Sequence, residues 1–218
     1  MTDTAVQRKN MVESQVRPSD VSDRRITAAM RDIPREYFVP LHLADLAYID
    51  TELTIAPGRG MTTPRDLARL LQLAEIEATD KVLVVGGGRG YTPALVAQLA
   101  ADVVSLEPDA QLTAAATATL TRLRIASVTT LTGVLHAGAP EHAPFNVIFI
   151  DGAVSDVPDA LVRQLAPGGR IVCVMRERGV GKAVVWRGNG ASMGRRTAFE
   201  ASAMPLPGLV PTVEPFAF

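Results

Sequence analysis

The chain has 218 residues, of which 47% are hydrophobic and 21% are charged, and its formal net charge is −1. This composition is typical of a folded globular domain and excludes a long disordered chain. Because proteins that hold nucleic acids through phosphate contacts carry a basic excess, the balanced charge also argues against DNA or RNA as the main partner.

The N-terminal residues Met1–Asn10 contain no apolar run of the kind found in secretory signals. No later segment approaches the run of about 18 apolar residues that crosses a membrane. We therefore expect a cytoplasmic protein with no membrane partner.

The residue types that bind metals or attack substrates are sparse. The only cysteine, Cys173, lies in the apolar run Ile171–Met175, which predicts a buried side chain rather than a nucleophile. The three histidines lack the spacing of metal ligands, and we predict that they are surface loop residues: His42, His136 and His142. No metal site is predicted.

The first third of the chain predicts helices followed by loops. Val6–Met30 has helical spacing, is interrupted at Arg17–Asp20, and offers Ser22 or Asp20 as the cap of its second half. A loop-rich stretch, Leu41–Met61, follows. Thr63 then predicts a helix start, because it can cap the helix and proline suits the next position.

From Lys81 the pattern alternates between short apolar runs and helices, which predicts an α/β fold. Continuous apolar runs are typical of parallel strands that are covered on both faces. The predicted strands are Lys81–Val85, Val103–Leu106, Val128–Leu131, Phe145–Ile150 and Arg170–Met175. The predicted helices between them are Thr92–Ala101, Asp109–Leu123 and Val157–Leu165.

The last part of the chain predicts antiparallel pairing. Ala183–Arg187 and Arg196–Ala201 flank the turn-rich segment Gly188–Gly194. Pro205–Phe218 is expected to pack as an irregular strand. With no repeat or linker in the sequence, we predict one domain over residues 1–218, with an N-terminal extension at 1–62 and the α/β core at 63–218.

A glycine-rich segment follows the first predicted strand of the core. Its glycines, Gly86, Gly88 and Gly90, allow a tight turn and a close approach of the backbone to a ligand at the carboxyl end of a strand. The spacing differs from the G-x-G-x-x-G of dinucleotide-binding proteins, which argues against a nicotinamide-dependent dehydrogenase. It matches the first motif of methyltransferases. The alternative is a glycine-rich turn that binds nothing.

An acidic residue, Glu107, ends the second predicted strand. A carboxylate at this point can accept hydrogen bonds from both ribose hydroxyls of a nucleoside. The alternative is a carboxylate that only starts the next helix, a role that suits Asp109 better. Together with the glycines, Glu107 predicts a nucleoside-binding crevice.

Several segments resemble protein-L-isoaspartate O-methyltransferases over nearly the whole chain. Ile33–Pro40 resembles the family's "V-P-R-x-x-F-V-P", and Ala47–Asp50 resembles its "A-Y-x-D". Pro144–Ile148 resembles "P-F-D-x-I", and Leu165–Arg170 resembles "L-x-x-G-G-R".

The resemblance implies a Rossmann-like class I methyltransferase fold with a mostly parallel seven-stranded sheet, helices on both faces and an N-terminal helical extension. It also implies S-adenosylmethionine as cofactor, held by Gly86, Gly88, Gly90 and Glu107. The implied reaction is carboxyl O-methylation of isoaspartyl residues in damaged proteins or peptides, which starts their repair.

The resemblance places Thr62 and Asp50 at the family's substrate-positioning residues. Thr62 falls on the serine of "G-x-x-x-S-x-P" and keeps a hydroxyl beside the reacting carboxylate, while Asp50 falls on a loop acid. The alternatives are a turn residue ahead of the cap Thr63 and a carboxylate that fixes the local backbone.

Four departures from the family bear on the cofactor. Val84 replaces an acid near the cofactor's amino group, and Arg89 replaces a small residue between the last two glycines. Val134 replaces the acid of "G-D-G", and Arg59–Gly60 replaces a Gln-Thr pair. The loss of two acids and the gain of a cation should weaken the binding of a sulfonium, since each charge-assisted hydrogen bond contributes about 1.5–3 kcal/mol.

Two other functions remain open on the same fold. The departures suggest a non-catalytic binding protein with a degenerate cofactor site. Alternatively, Asp151 at the end of the fourth predicted strand could serve a small-molecule O-methyltransferase, or it could simply fix the following turn.

Overall fold

The computed structural model describes residues 4–177, 179–189 and 192–210. The helices are α1 Thr4–Met11, α2 Arg24–Asp32, α3 Pro64–Ala74, α4 Tyr91–Val96, α5 Ala110–Arg122 and α6 Asp159–Val162. The strands are β1 Leu53–Ala56, β2 Arg59–Met61, β3 Lys81–Val85, β4 Asp102–Glu107, β5 Val128–Thr132, β6 Phe145–Val154, β7 Leu165–Glu177, β8 Val180–Asn189 and β9 Ser192–Glu200.

Seven strands form one mostly parallel sheet, which confirms the predicted fold class. Its order is β5-β4-β3-β6-β7-β8-β9, with parallel pairing from β5 to β7 and antiparallel pairing of β8 with both of its neighbours. The chain runs outwards from β3 to β5 and then returns to β6 beside β3. The carboxyl ends of β3 and β6 therefore flank the switch point where open α/β sheets bind ligands.

The sheet is covered on both faces, as its apolar strands require. Along β3, Val82 and Val84 belong to the apolar cluster shared with the N-terminal helices, α3 and α4. Leu83 and Val85 belong to a second cluster on the opposite face, which includes Leu161 of α6. This alternation explains why β3 carries no polar residue after Lys81.

The N-terminal segment packs against the first of these clusters. Helix α1 continues into a π-helical turn at Val12–Val16 and a 3-10 turn at Arg17–Ser19. The predicted cap of α2 was wrong: Asp23, rather than Ser22 or Asp20, accepts a hydrogen bond from the backbone of Arg25 at 2.8 Å. Asp20 instead adopts a left-handed backbone conformation that turns the chain.

The stretch Leu41–Met61 contains a feature that the sequence reading missed. After the 3-10 turn at Leu41–Leu46, strands β1 and β2 pair antiparallel as a separate two-stranded sheet. Pro57 and Gly58 form the connection, and Gly58 has a φ of 67°. We call residues 53–61 the hairpin.

Other element bounds differ from the prediction in length. Helices α4 and α6 are shorter than expected, whereas β6 and β7 are longer. Strand β6 passes through Asp151, which was expected to end it, because a shift in register between Phe149 and Ala153 lets pairing with β7 resume. Ala153 also bridges to Pro205, and residues 211–218 of the predicted C-terminal strand lie outside the described part of the chain.

The Thr63 hydroxyl gives a direct test of the helix that follows the hairpin. Its Oγ1 accepts a hydrogen bond from the backbone nitrogen of Asp66 at 3.1 Å, which confirms the predicted cap of α3. Thr63→Ala is expected to lower the free energy of unfolding by about 1 kcal/mol, as for other lost caps. Urea unfolding measures this, and Thr63→Ser, which keeps the hydroxyl, should stay near the wild type. Equal losses in both variants would contradict the capping role.

Candidate functional site

The glycine-rich turn lies at the switch point, directly after β3. Gly86, Gly88 and Gly90 have φ values of 82°, 55° and 97°, in the region that side chains disfavour. The neighbouring Gly87 packs so tightly that an added Cβ would lie 2.1 Å from the hydroxyl of Ser105. The turn therefore needs glycines for its own geometry, whether or not it holds a ligand.

Glu107 points into this turn from the end of β4, and its side chain is 2% exposed. Its Oε2 accepts a hydrogen bond from the backbone nitrogen of Gly88 at 2.8 Å. The structure thus brings together the glycines and the acid that the sequence predicted as one crevice.

The partner of Glu107 is Arg59, the first residue of β2. Its Nη2 lies 2.8 Å from Oε2 of Glu107 and 2.9 Å from the carbonyl oxygen of Gly86, and its Nε lies 3.2 Å from Oε1. The Arg59 side chain is 4% exposed. Both carboxylate oxygens of Glu107 are therefore bonded within the protein.

The hairpin closes the crevice with an apolar contact as well. A Cβ on Gly88 would lie 2.9 Å from Cδ1 of Ile55, so this side chain rests directly on the glycine turn. The space left between the hairpin and the turn measures about 10 Å³. That is room for about one water molecule.

Thr62 and Asp151 meet beside this space. The Thr62 hydroxyl donates to Oδ1 of Asp151 at 3.3 Å, and the backbone oxygen of Thr62 accepts a hydrogen bond from Nη2 of Arg35 at 2.8 Å. Arg35 is fully buried, and its guanidinium lies 4.8 Å from the ring centre of Tyr91. Burial lowers the pKa of Arg35.

Asp151 is a half-buried carboxyl group, and the loss of solvent around it raises its pKa above the ordinary 3.8. The hydroxyls of Thr92 and Thr62 and the positive charges of Arg59 and Arg35 oppose this rise. Among the described residues, no three His, Cys, Asp or Glu side chains cluster as metal ligands.

Asp50, the other predicted positioning residue, is exposed and stands with different partners. Its Oδ2 lies 3.3 Å from Nη1 of Arg65, and its Oδ1 accepts from the backbone nitrogen of Arg65 at 3.4 Å. It thereby ties the loop to the start of α3. The described contacts do not bring it to Thr62.

The residues that depart from the family pattern bring no acidic group to the crevice. Val84 is fully buried in β3, and Val134 is 56% exposed, so neither offers a polar group to the crevice. Arg89 lines the small space at the glycine turn, and its buried Nε has no hydrogen-bond partner among the described residues. Sequence reasoning noted Arg59 only as a departure, and the Pro57-Gly58 turn signal could have revealed the hairpin that carries it.

The family model described as protein-L-isoaspartate(D-aspartate) O-methyltransferase matches residues 6–201. Two proteins named protein-L-isoaspartate O-methyltransferase are similar over 172 residues. The one from Koribacter versatilis is 37% identical and the match covers 79% of this chain and 78% of that protein. The one from Methylorubrum populi is 40% identical, with coverage of 79% and 80%.

Solved structures give the same result for the fold. A structure described as a protein-L-isoaspartate O-methyltransferase superposes with a TM-score of 0.81 at 25% identity, covering 92% of this chain and 66% of that one. A Plasmodium falciparum protein, described as a beta-aspartate methyltransferase in complex with S-adenosyl-L-homocysteine, gives 0.77 at 20% identity, covering 91% and 98%. Among the described residues, no helix is both long and apolar enough to span a membrane.

The raised pKa of Asp151 predicts a pH-dependent cost to stability. In the interval above 3.8, the folded protein keeps a proton on Asp151 that the unfolded chain has released, so this residue destabilises the fold increasingly as the pH rises through its folded pKa. Asp151→Asn removes that cost. We expect a higher melting temperature than the wild type at pH 8 and a difference that shrinks towards pH 4. Circular dichroism melts measure it, and a difference that grows towards acid pH would contradict the assignment.

Proposed function

Because this chain belongs to the protein-L-isoaspartate O-methyltransferase family, we propose that it methylates the free carboxylate of isoaspartyl residues in damaged proteins or peptides, with S-adenosylmethionine as methyl donor. The observation that carries the proposal is the family match over residues 6–201. It is supported by the arrangement of Thr62, Asp151 and the glycine turn around one crevice.

When bound, S-adenosylmethionine would supply a methyl group on a positively charged sulfur, and an ionised carboxylate would need no prior proton transfer to accept it. The protein's task is then to orient the carboxylate and to exclude water. In this proposal the Thr62 hydroxyl donates to the substrate carboxylate instead of to Asp151. Asp50 would orient the peptide at the rim, from the loop that its ion pair with Arg65 ties to the start of α3.

The cofactor residues in this proposal are Gly86, Gly88, Gly90 and Glu107. In the present conformation these residues do not fit the cofactor, because Arg59 engages both oxygens of Glu107 and about 10 Å³ remains at the turn. Sites for molecules of this size enclose about 300–1,000 Å³. Catalysis on this account requires the hairpin to leave the crevice.

We also propose that the reaction takes place in the cytoplasm and that its partners are isoaspartyl proteins rather than nucleic acid or membrane.

The Thr62 hydroxyl is the direct test of substrate positioning. Thr62→Val removes the hydroxyl at nearly constant volume, and Thr62→Ser keeps it. Transfer of labelled methyl groups to an isoaspartyl peptide should fall about tenfold or more in kcat/KM for the valine variant, because a hydrogen bond to a charged group contributes about 1.5–3 kcal/mol. The serine variant should stay near the wild type. Equal rates in all three proteins would remove Thr62 from the site.

A second function is favoured by the buried ion pair between Arg59 and Glu107. If the hairpin never leaves the crevice, the protein is a non-catalytic binding protein on a methyltransferase fold. Prolonged incubation with millimolar donor and isoaspartyl peptide separates the two functions. Repeated turnover supports the enzyme, whereas no methyl ester with either the wild type or an Arg59→Met variant supports the binding protein.

A further inference from the structure

We propose that Arg59 is an internal competitor of the cofactor: its guanidinium occupies the place of the ribose at Glu107, so the docked hairpin and a bound nucleoside exclude each other. This inference rests on the proposed function for the identity of the ligand. It adds a regulatory contact at that site, namely an autoinhibitory hairpin.

The contacts of Arg59 imitate those of a ribose. A ribose presents two neighbouring hydroxyls as donors to one carboxylate. Arg59 presents two nitrogens, Nε and Nη2, to the two oxygens of Glu107 at 3.2 and 2.8 Å. The same Nη2 also reaches the carbonyl oxygen of Gly86. Glu107 cannot bind Arg59 and a ribose at the same time, because its two carboxylate oxygens already accept hydrogen bonds from Arg59 and from backbone nitrogens.

Movement of the hairpin would break no strand pairing of the seven-stranded sheet, but it would withdraw Leu53, Ile55 and Met61 from the first apolar cluster, in which they are buried. Strands β1 and β2 form their own two-stranded sheet and share no strand pairing with the seven-stranded sheet. Against the glycine turn, the described contacts of the hairpin are the Arg59 ion pair and the Ile55 side chain. Lifting these two side chains would uncover Gly86, Gly88 and Glu107 together.

The docked state also has an internal cost. Nη1 of Arg59 is buried and has no hydrogen-bond partner among the described residues. An unsatisfied buried donor weakens the state that buries it. The closed state therefore includes the free-energy cost of one unsatisfied donor. This cost lowers the free energy that a ligand must supply to open the hairpin.

The experiment is a calorimetric titration of S-adenosylhomocysteine, which binds the same site but cannot be consumed. If most molecules are closed, the apparent dissociation constant exceeds the intrinsic one by the inverse of the open fraction. Arg59→Met removes the ion pair, so we expect its affinity to exceed that of the wild type at least tenfold. The matched control is Arg187→Met on β8. This variant removes an exposed ion pair with Glu75 and should leave the affinity unchanged.

A second variant keeps the test decisive if Arg59→Met does not fold. Arg59→Lys retains the charge but cannot contact both oxygens of Glu107 and Gly86 at once. Its affinity should lie between those of the wild type and Arg59→Met, and at least threefold above the wild type. Equal affinity in the wild type and the folded Arg59 variants, including no binding in any of them, overturns the proposal. An equal gain in the Arg187→Met control overturns it too.

Failure of this inference is distinguishable from failure of the proposed function. An Arg59→Met protein that binds S-adenosylhomocysteine tightly but never methylates isoaspartyl peptide keeps the autoinhibitory hairpin and removes the enzyme activity. A wild-type protein that methylates peptide, and whose affinity for S-adenosylhomocysteine Arg59→Met does not change, keeps the enzyme activity and removes the autoinhibitory hairpin.

Discussion

The ion pair between Arg59 and Glu107 decides what the crevice at the sheet's switch point can hold. Both side chains are almost completely buried, and the guanidinium joins the hairpin to the end of β4 and to the glycine turn at the same time. Removing one member of such a pair typically costs about 3–5 kcal/mol, because the other charge stays buried without its partner. The same contact therefore fixes the position of the hairpin and closes the crevice.

Around this contact the family's framework is intact. The parallel strands, the glycine turn with its positive φ values and the acid at the end of β4 meet at the switch point, where open α/β sheets bind ligands. What differs is the electrostatics. Val84 and Val134 bring no charge to the crevice, while Arg59 and Arg89 bring positive charge to it. These positive charges would repel a cationic sulfonium, whereas a neutral thioether of the same shape carries no net charge for them to repel.

Much of the fold could be predicted from the sequence, because apolar periodicity reports burial directly. The bounds of β3 agree with the prediction to the residue, and Thr63 caps α3 as expected. Long-range pairing could not be predicted in the same way. β6 continues past Ile150 because of a register shift against β7, and no local pattern encodes this. The Arg59–Glu107 contact spans 48 residues, so the sequence could name both partners without joining them.

A double-mutant cycle on Arg59 and Glu107 tests the central claim most directly, because it needs neither cofactor nor substrate. Urea unfolding of the wild type, Arg59→Met, Glu107→Gln and the double variant gives the coupling free energy of the two side chains. A buried, two-point ion pair predicts a coupling above about 1.5 kcal/mol. A coupling near zero would mean that Arg59 does not hold Glu107 in the free protein, and it would contradict the account of the closed crevice.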